Sequence, residues 1–169
     1  LRLAGGTVRT RDLDIIGADS ADFFASMRAD FGIVSVGGMS DDGDLLDFNM
    51  DEVRARRALV SCCDHAILMV DEKKMGRKAL CRDGHASDFQ TVLLNTAPGD
   101  ALQRALVSDC GCCLSLTKAS RSQRCILSHH QITIDMQGMV RSDGGPTVGV
   151  CIKWFGHNDH MAVAFAPIE

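Results

Sequence analysis

Three short runs of this sequence hold residues whose types and spacing suit the binding of a small anionic ligand. They are Gly37, Gly38, Ser40 and Asp42; then Glu52; then Lys74, Gly76 and Arg77. Lys74 offers a phosphate a compact positive charge and Arg77 a planar fork of donors. The same two residues also read as part of a solvated basic loop. Gly37-Gly38 lets a backbone come close to a ligand, and equally suits a tight turn with no ligand. A carboxylate at Glu52 accepts from a polyol hydroxyl, or else serves as a first-turn charge worth ~0.3–1 kcal/mol to its helix. Bond-making chemistry needs a positioned acid and base, and these segments carry Ser40, Asp41, Asp42 and Glu52 with no histidine beside them. They therefore predict binding: no catalytic residue, no metal ligand and no cofactor is assigned.

The elements around these runs alternate between strand and helix. Asp19-Ser20 precedes Phe23, Phe24 and Met27 at helical spacing, which predicts a helix capped there. Phe31–Val36 is a short apolar run, as expected of a strand buried on both faces, and Gly37-Gly38 follows it directly. Ligands of open α/β sheets bind at such strand ends. Asp41-Asp42-Gly43-Asp44 supplies a turn. A helix is predicted from about Met50 to Cys63, with Asp51 and Glu52 in its first turn and Val53, Val60 and Cys63 on one face. Arg54, Arg56 and Arg57 form the only basic cluster. Positions 54 and 57 are neighbours on a helix while 56 points elsewhere, which predicts a solvated or subunit-contacting helix and no continuous phosphate-binding face. Ala66–Val70 and Thr91–Leu94 read as further buried strands, and Pro98-Gly99-Asp100 leads into a short helix with Leu102, Ala105 and Leu106. This is the pattern of a parallel α/β sheet.

Composition narrows the classes of function. Hydrophobic residues at 46% and charged residues at 24% describe a globular chain. A formal net charge of -4 without a dense Lys/Arg stripe argues against direct binding to a nucleic acid backbone. No run approaches the ~18–20 apolar residues of a membrane span, and Leu1–Gly6 is not a secretory leader, so no membrane partner and a cytoplasmic location are expected. Opening on Leu1 in what reads as mid-strand, the chain reads as a fragment. Eight cysteines include the adjacent pairs Cys62-Cys63 and Cys112-Cys113, which rarely bridge internally, and the thiols are read as reduced.

From Val107 the helix–strand rhythm stops. Residues 107–169 hold five of the eight cysteines and four of the six histidines. Weak alternation at Ile132, Ile134, Met136 and at Val148, Val150, Ile152 predicts two strands, with Ser142-Asp143-Gly144-Gly145 as a hairpin loop. The expected organisation is one domain over 1–106 and an unassigned tail over 107–169, irregular or weakly β, read in a shifted frame or disordered, or else a genuine extension. Cys110, Cys112, Cys113, Cys125, His129, His130, Cys151, His157 and His160 include metal-ligand types. Their spacing does not follow the two close pairs of a structural zinc site.

Three segments, in order and in spacing, resemble one family. They are Leu3–Asp12 with Ile15-Ile16-Gly17; Asp30–Ile33 with Gly37-Gly38, Asp42–Phe48 and Asp51–Ala58; and Val70-Asp71 with Lys74–Ala79. Residues 1 to about 106 are similar to the C-terminal sensor domain of DeoR-type transcriptional repressors, most nearly the glycerol-3-phosphate branch. The resemblance implies an α/β fold related to ribose-phosphate isomerases and glucosamine-phosphate deaminases. It also implies a phosphorylated polyol effector such as glycerol 3-phosphate, a homo-oligomer, and operator DNA reached only through an N-terminal winged helix-turn-helix absent from this chain. It favours the ligand reading of Gly37-Gly38 and places the helix of Glu52 beside the pocket.

Departures from the family pattern fall at Ser40, at Lys73-Lys74 and at Asn95-Thr96, and they bear on effector identity. The family's first sensor strand, with its phosphate loop, is also missing, which predicts weaker anion binding by the chain alone and an open sheet edge. Family members close with a last strand shortly after the position of Leu106. The alternatives are an isomerase-like enzyme, a metal-binding tail, and a remnant without function.

Overall fold

A computed structural model describes residues 5–9, 14–109, 113–115, 122–127, 130–135, 140–142, 149–155 and 161–167, with side chains described up to residue 106 apart from residue 14. The chain opens with a hairpin, β1 (Thr7–Arg9) against β2 (Asp14–Ile16), and then forms α1 (Ala18–Ala25). After these come β3 (Ala29–Val34), β4 (Gly38–Met39), β5 (Asp44–Asp47), α2 (Met50–Cys62), β6 (Cys63–Val70), β7 (Cys81–His85), β8 (Thr91–Leu94) and α3 (Asp100–Asp109). Backbone strands continue as β9 (Cys113–Ser115), β10 (Ser122–Leu127), β11 (His130–Asp135), β12 (Val140–Ser142), β13 (Gly149–Phe155) and β14 (Met161–Pro167).

The fold is mixed α/β around a parallel sheet. β3 pairs parallel with β6, and β6 with β8. Their apolar runs are buried because helices and a second sheet cover them: Ile33, Val34, Ile67, Leu68, Val92, Leu93 and Leu94 are almost wholly inaccessible. Each such side chain stabilises the fold by roughly 1.5–3 kcal/mol on burial. α2 runs back against the strands, burying Val53, Ala55 and Leu59, so its first turn lies at the carboxyl edge of the sheet. Leu102 and Leu106 of α3 complete the core.

Four details depart from the expectations above. α1 starts at Ala18 after Gly17, with no side-chain cap, so Asp19 and Ser20 lie inside its first turn. The buried Ser20 hydroxyl donates to the Gly5 carbonyl at 2.9 Å, and that bond holds the N-terminal segment to the helix. A second sheet, antiparallel β4–β5–β7, lies where the sequence suggested only a turn and a loop. The two tail alternations form β11 and β13, which do not pair with each other: β11 joins β10 and β12, and β13 joins β3 and β14. The side of β3 away from β6 is thus taken by β13, since an open strand edge is a template for further pairing. β9 adds parallel to β8.

Candidate functional site

The candidate site forms where β3, β6 and β8 end. Past β3 the chain runs through Ser35, Val36 and Gly37 into β4. Past β6, Asp71 caps a single 3-10 turn at Glu72–Lys74, and past β8 comes Asn95. A side-chain network ties the last two ends together. Asn95 Nδ2 donates to Asp71 Oδ2 at 3.0 Å, and the Glu72 amide donates to Asn95 Oδ1 at 2.6 Å. The other Asp71 oxygen accepts the Lys73 amide at 2.9 Å. These bonds set the turn that presents Lys74, whose Nζ donates to the Ser35 hydroxyl at 3.1 Å.

The loop carrying Lys74, Gly76 and Arg77 docks on β4. Met75 bridges Met39, and the Gly76 amide donates to the Met39 carbonyl at 2.7 Å. Gly38 lies beneath the Arg77 carbonyl, so closely that a Cβ at 38 would overlap it. Gly37 is pressed by Asp47, whose Oδ1 would stand 2.9 Å from a Cβ at 37. Neither glycine has positive φ; each is demanded by the approach of this protein's own backbone and side chains. Gly76 differs, with φ 69° and only Asp41 Oδ1, at 4.0 Å, near where a Cβ would be. The exposed Arg77 guanidinium lies 4.7 Å over the Phe48 ring.

The remaining predicted residues lie around this centre with their polar groups engaged. Ser40 and Asp42 belong to the turn between β4 and β5. The Ser40 hydroxyl donates to Asp42 Oδ1 and accepts the Asp44 amide at 2.8 Å. That hydroxyl is the main reason the Asp42 carboxyl is held below its usual range. Glu52 is buried in α2, and its carboxylate pairs with Arg9 of β1. Ser35 escaped sequence reasoning, while Asp71 and Asn95 were noted there only as part of the family pattern and as a departure from it. Asp71 and Asn95 each stand just past a buried run, which is the one signal that would have found them.

The arginine cluster of α2 needs correction. Arg54 and Arg57 are exposed, but Arg56 is one of the largest wholly buried side chains. Its Nη2 donates to Asp47 Oδ2, its Nε to Asp83 Oδ2 and its Nη1 to the Ser35 carbonyl. A guanidinium leaves water only when its donors are matched in this way. The helix face bearing Arg56 is therefore interior.

Residues 1–96 match the family model described as DeoR C terminal sensor domain. The chain belongs to this DeoR family. Among curated proteins, the DeoR domain is 39% identical over 104 residues to the glycerol-3-phosphate regulon repressor of Escherichia coli (strain K12), covering 62% of this chain and 41% of that one. The protein of the same name from Haemophilus influenzae is 34% identical over 96 residues, 57% of this chain and 37% of its own. The HTH-type transcriptional repressor CsqR of E. coli K12 is 29% identical over 102 residues, 60% of this chain and 39% of its own. The DeoR chain thus spans about two fifths of the length of these relatives.

Among the described residues of the DeoR domain, no helix is long and apolar enough to cross a membrane, and no group of three or more His, Cys, Asp or Glu could hold a metal ion. The Cys/His set of the tail lies outside the described side chains. Cys63 and Cys81 carry free thiols. Burial, followed by the neighbouring Cys62, pushes the Cys63 thiol up to about 11, where it is a poor nucleophile near neutrality.

Proposed function

We propose that this chain is the effector-sensing part of a cytoplasmic, homo-oligomeric transcriptional repressor of sugar or glycerol catabolism. Its effector is a small phosphorylated polyol, with glycerol 3-phosphate the first candidate, and operator DNA is reached through a DNA-binding domain outside this chain. The observation that carries the reading is the meeting of the Gly37-Gly38 turn with the Lys74–Arg77 loop at the carboxyl edge of the parallel sheet. Lys74 and Arg77 would take the phosphoryl group. Relatives named as glycerol-3-phosphate regulon repressors support the choice of effector. The sensing module is read as residues 1–106, and β9 and β13 of the following segment extend its sheet.

A regulator is favoured over an isomerase-like enzyme because the similar curated proteins are named as repressors.

The test is thermal unfolding of the chain with glycerol 3-phosphate, glycerol or inorganic phosphate at equal concentration. Glycerol 3-phosphate is expected to raise Tm the most, with stabilisation of about 2.7 kcal/mol once its concentration is about 100 times Kd. Lys74→Ala should abolish the rise. An equal rise with phosphate alone would reduce the site to a general anion site, and no rise with any of the three would overturn the reading.

A further inference from the structure

Arg56 touches none of the residues assigned to the effector, yet it stands one side chain away from two of them. Through Nη1 it holds the Ser35 carbonyl, and the Ser35 hydroxyl accepts from Lys74 at 3.1 Å. Through Nη2 it holds Asp47 Oδ2, while Asp47 Oδ1 packs against Gly37 and accepts the Phe48 amide at 2.7 Å. Phe48 in turn lies under Arg77. Nε is anchored at the far side by Asp83 of β7, which Arg57 also approaches at 3.2 Å.

We propose that Arg56 is the positioning residue of the effector site, a buried fork that fixes Ser35 and Asp47 so that Lys74 and Arg77 face one phosphoryl group. The proposal rests on the effector reading above for its ligand, but not for its geometry. Three segments separated in sequence converge on one planar cation, and only a guanidinium presents three donors in fixed, diverging directions. A lysine would keep the charge and reach fewer of the three acceptors. The buried positive charge also offsets Asp47 and Asp83, which would otherwise set two carboxylates behind a site meant for an anion.

The test compares wild type, Arg56→Lys and Asp83→Asn in the full chain. Acetylation of Lys74 by limiting acetic anhydride is read by mass spectrometry, with the exposed Lys73 and Lys78 as internal standards. Glycerol 3-phosphate affinity is measured in parallel. Asp83 bonds to Arg56 and Arg57 and makes no described bond to Ser35 or Gly37, so Asp83→Asn disturbs the fork without altering either.

The expected result is a several-fold change in Lys74 reactivity relative to both standards in each variant. Affinity should fall by about tenfold in Arg56→Lys and by less in Asp83→Asn, as charge-assisted bonds are lost. If Arg56→Lys does not fold, Asp83→Asn alone carries the comparison. Variants that unfold at lower temperature while Lys74 reactivity matches wild type would make Arg56 a structural staple and overturn the proposal. Altered Lys74 reactivity with no glycerol 3-phosphate binding by wild type would keep the positioning role and reject the ligand.

Discussion

The two glycine-bearing walls of the candidate site are built on opposite principles. On one side Gly37 and Gly38 lie in ordinary extended backbone, enclosed by Asp47, Phe48 and the Arg77 carbonyl. On the other, Gly76 has left-handed backbone and only Asp41 Oδ1 nearby, 4.0 Å from where a Cβ would stand, next to exposed Arg77 and Lys78. One glycine pair exists because there is no room, the other because of conformation. The first wall is fixed by packing and buried charge, whereas the second is a charged loop joined to β4 by one bridge and one hydrogen bond.

The contrast can be broken most severely from behind the fixed wall. Arg56→Ala strands two buried carboxylates and is expected to cost about 3–5 kcal/mol in urea unfolding. The exposed neighbour Arg57→Ala should cost about 0–1 kcal/mol. Comparable losses for the two would erase the distinction between buried network and surface pair. Next in size is Gly38→Ala. Its Cβ meets backbone, which cannot swing aside, and overpacking of that kind costs roughly 1–3 kcal/mol. Gly76→Ala meets only the left-handed backbone penalty, about 1–2 kcal/mol by the same unfolding measurement. A Gly76 substitution more damaging than one at Gly38 would show that the loop is the constrained wall.

The smallest effect is expected at the opposite end of the sheet. His65 Nε2 lies 2.9 Å from the Thr91 hydroxyl, with its ring tilted on Phe31. Burial lowers its pKa from the ordinary 6.5, favouring the neutral ring in the folded state. The unfolded chain therefore binds the extra proton first. Stability should fall as pH drops through 6.5 and level off below the folded value. Replacing His65 with Gln should flatten that part of the profile while leaving any effector-induced rise in Tm unchanged. If the substitution also shifts effector binding, the two ends of the sheet are coupled and the walls are not local devices.

Much of the parallel layer was legible in the sequence because its signals are local. The apolar runs around Ile33, Ile67 and Val92 had the length of buried strands, and Asp51 and Glu52 marked the start of α2. The antiparallel sheet was not legible. β4 has two residues, and β7 reads Cys-Arg-Asp-Gly-His, a composition typical of a loop. The site was partly legible: Gly38, Lys74, Gly76 and Arg77 meet, whereas Glu52 is bound to Arg9 and Ser40 with Asp42 build a turn.

By itself, then, the amino-acid order determined the strand–helix alternation, the glycine turns that follow buried strands, and the family they belong to, since each depends on neighbours within a few residues. The burial of Arg56 was decided only in three dimensions. Its partners lie 9, 21 and 27 residues away on three different segments, and no spacing rule on a single helix reveals that they converge. A charge goes inside only where the fold has already gathered its counter-charges, so a side chain that joins three segments looked, in sequence, like a surface arginine.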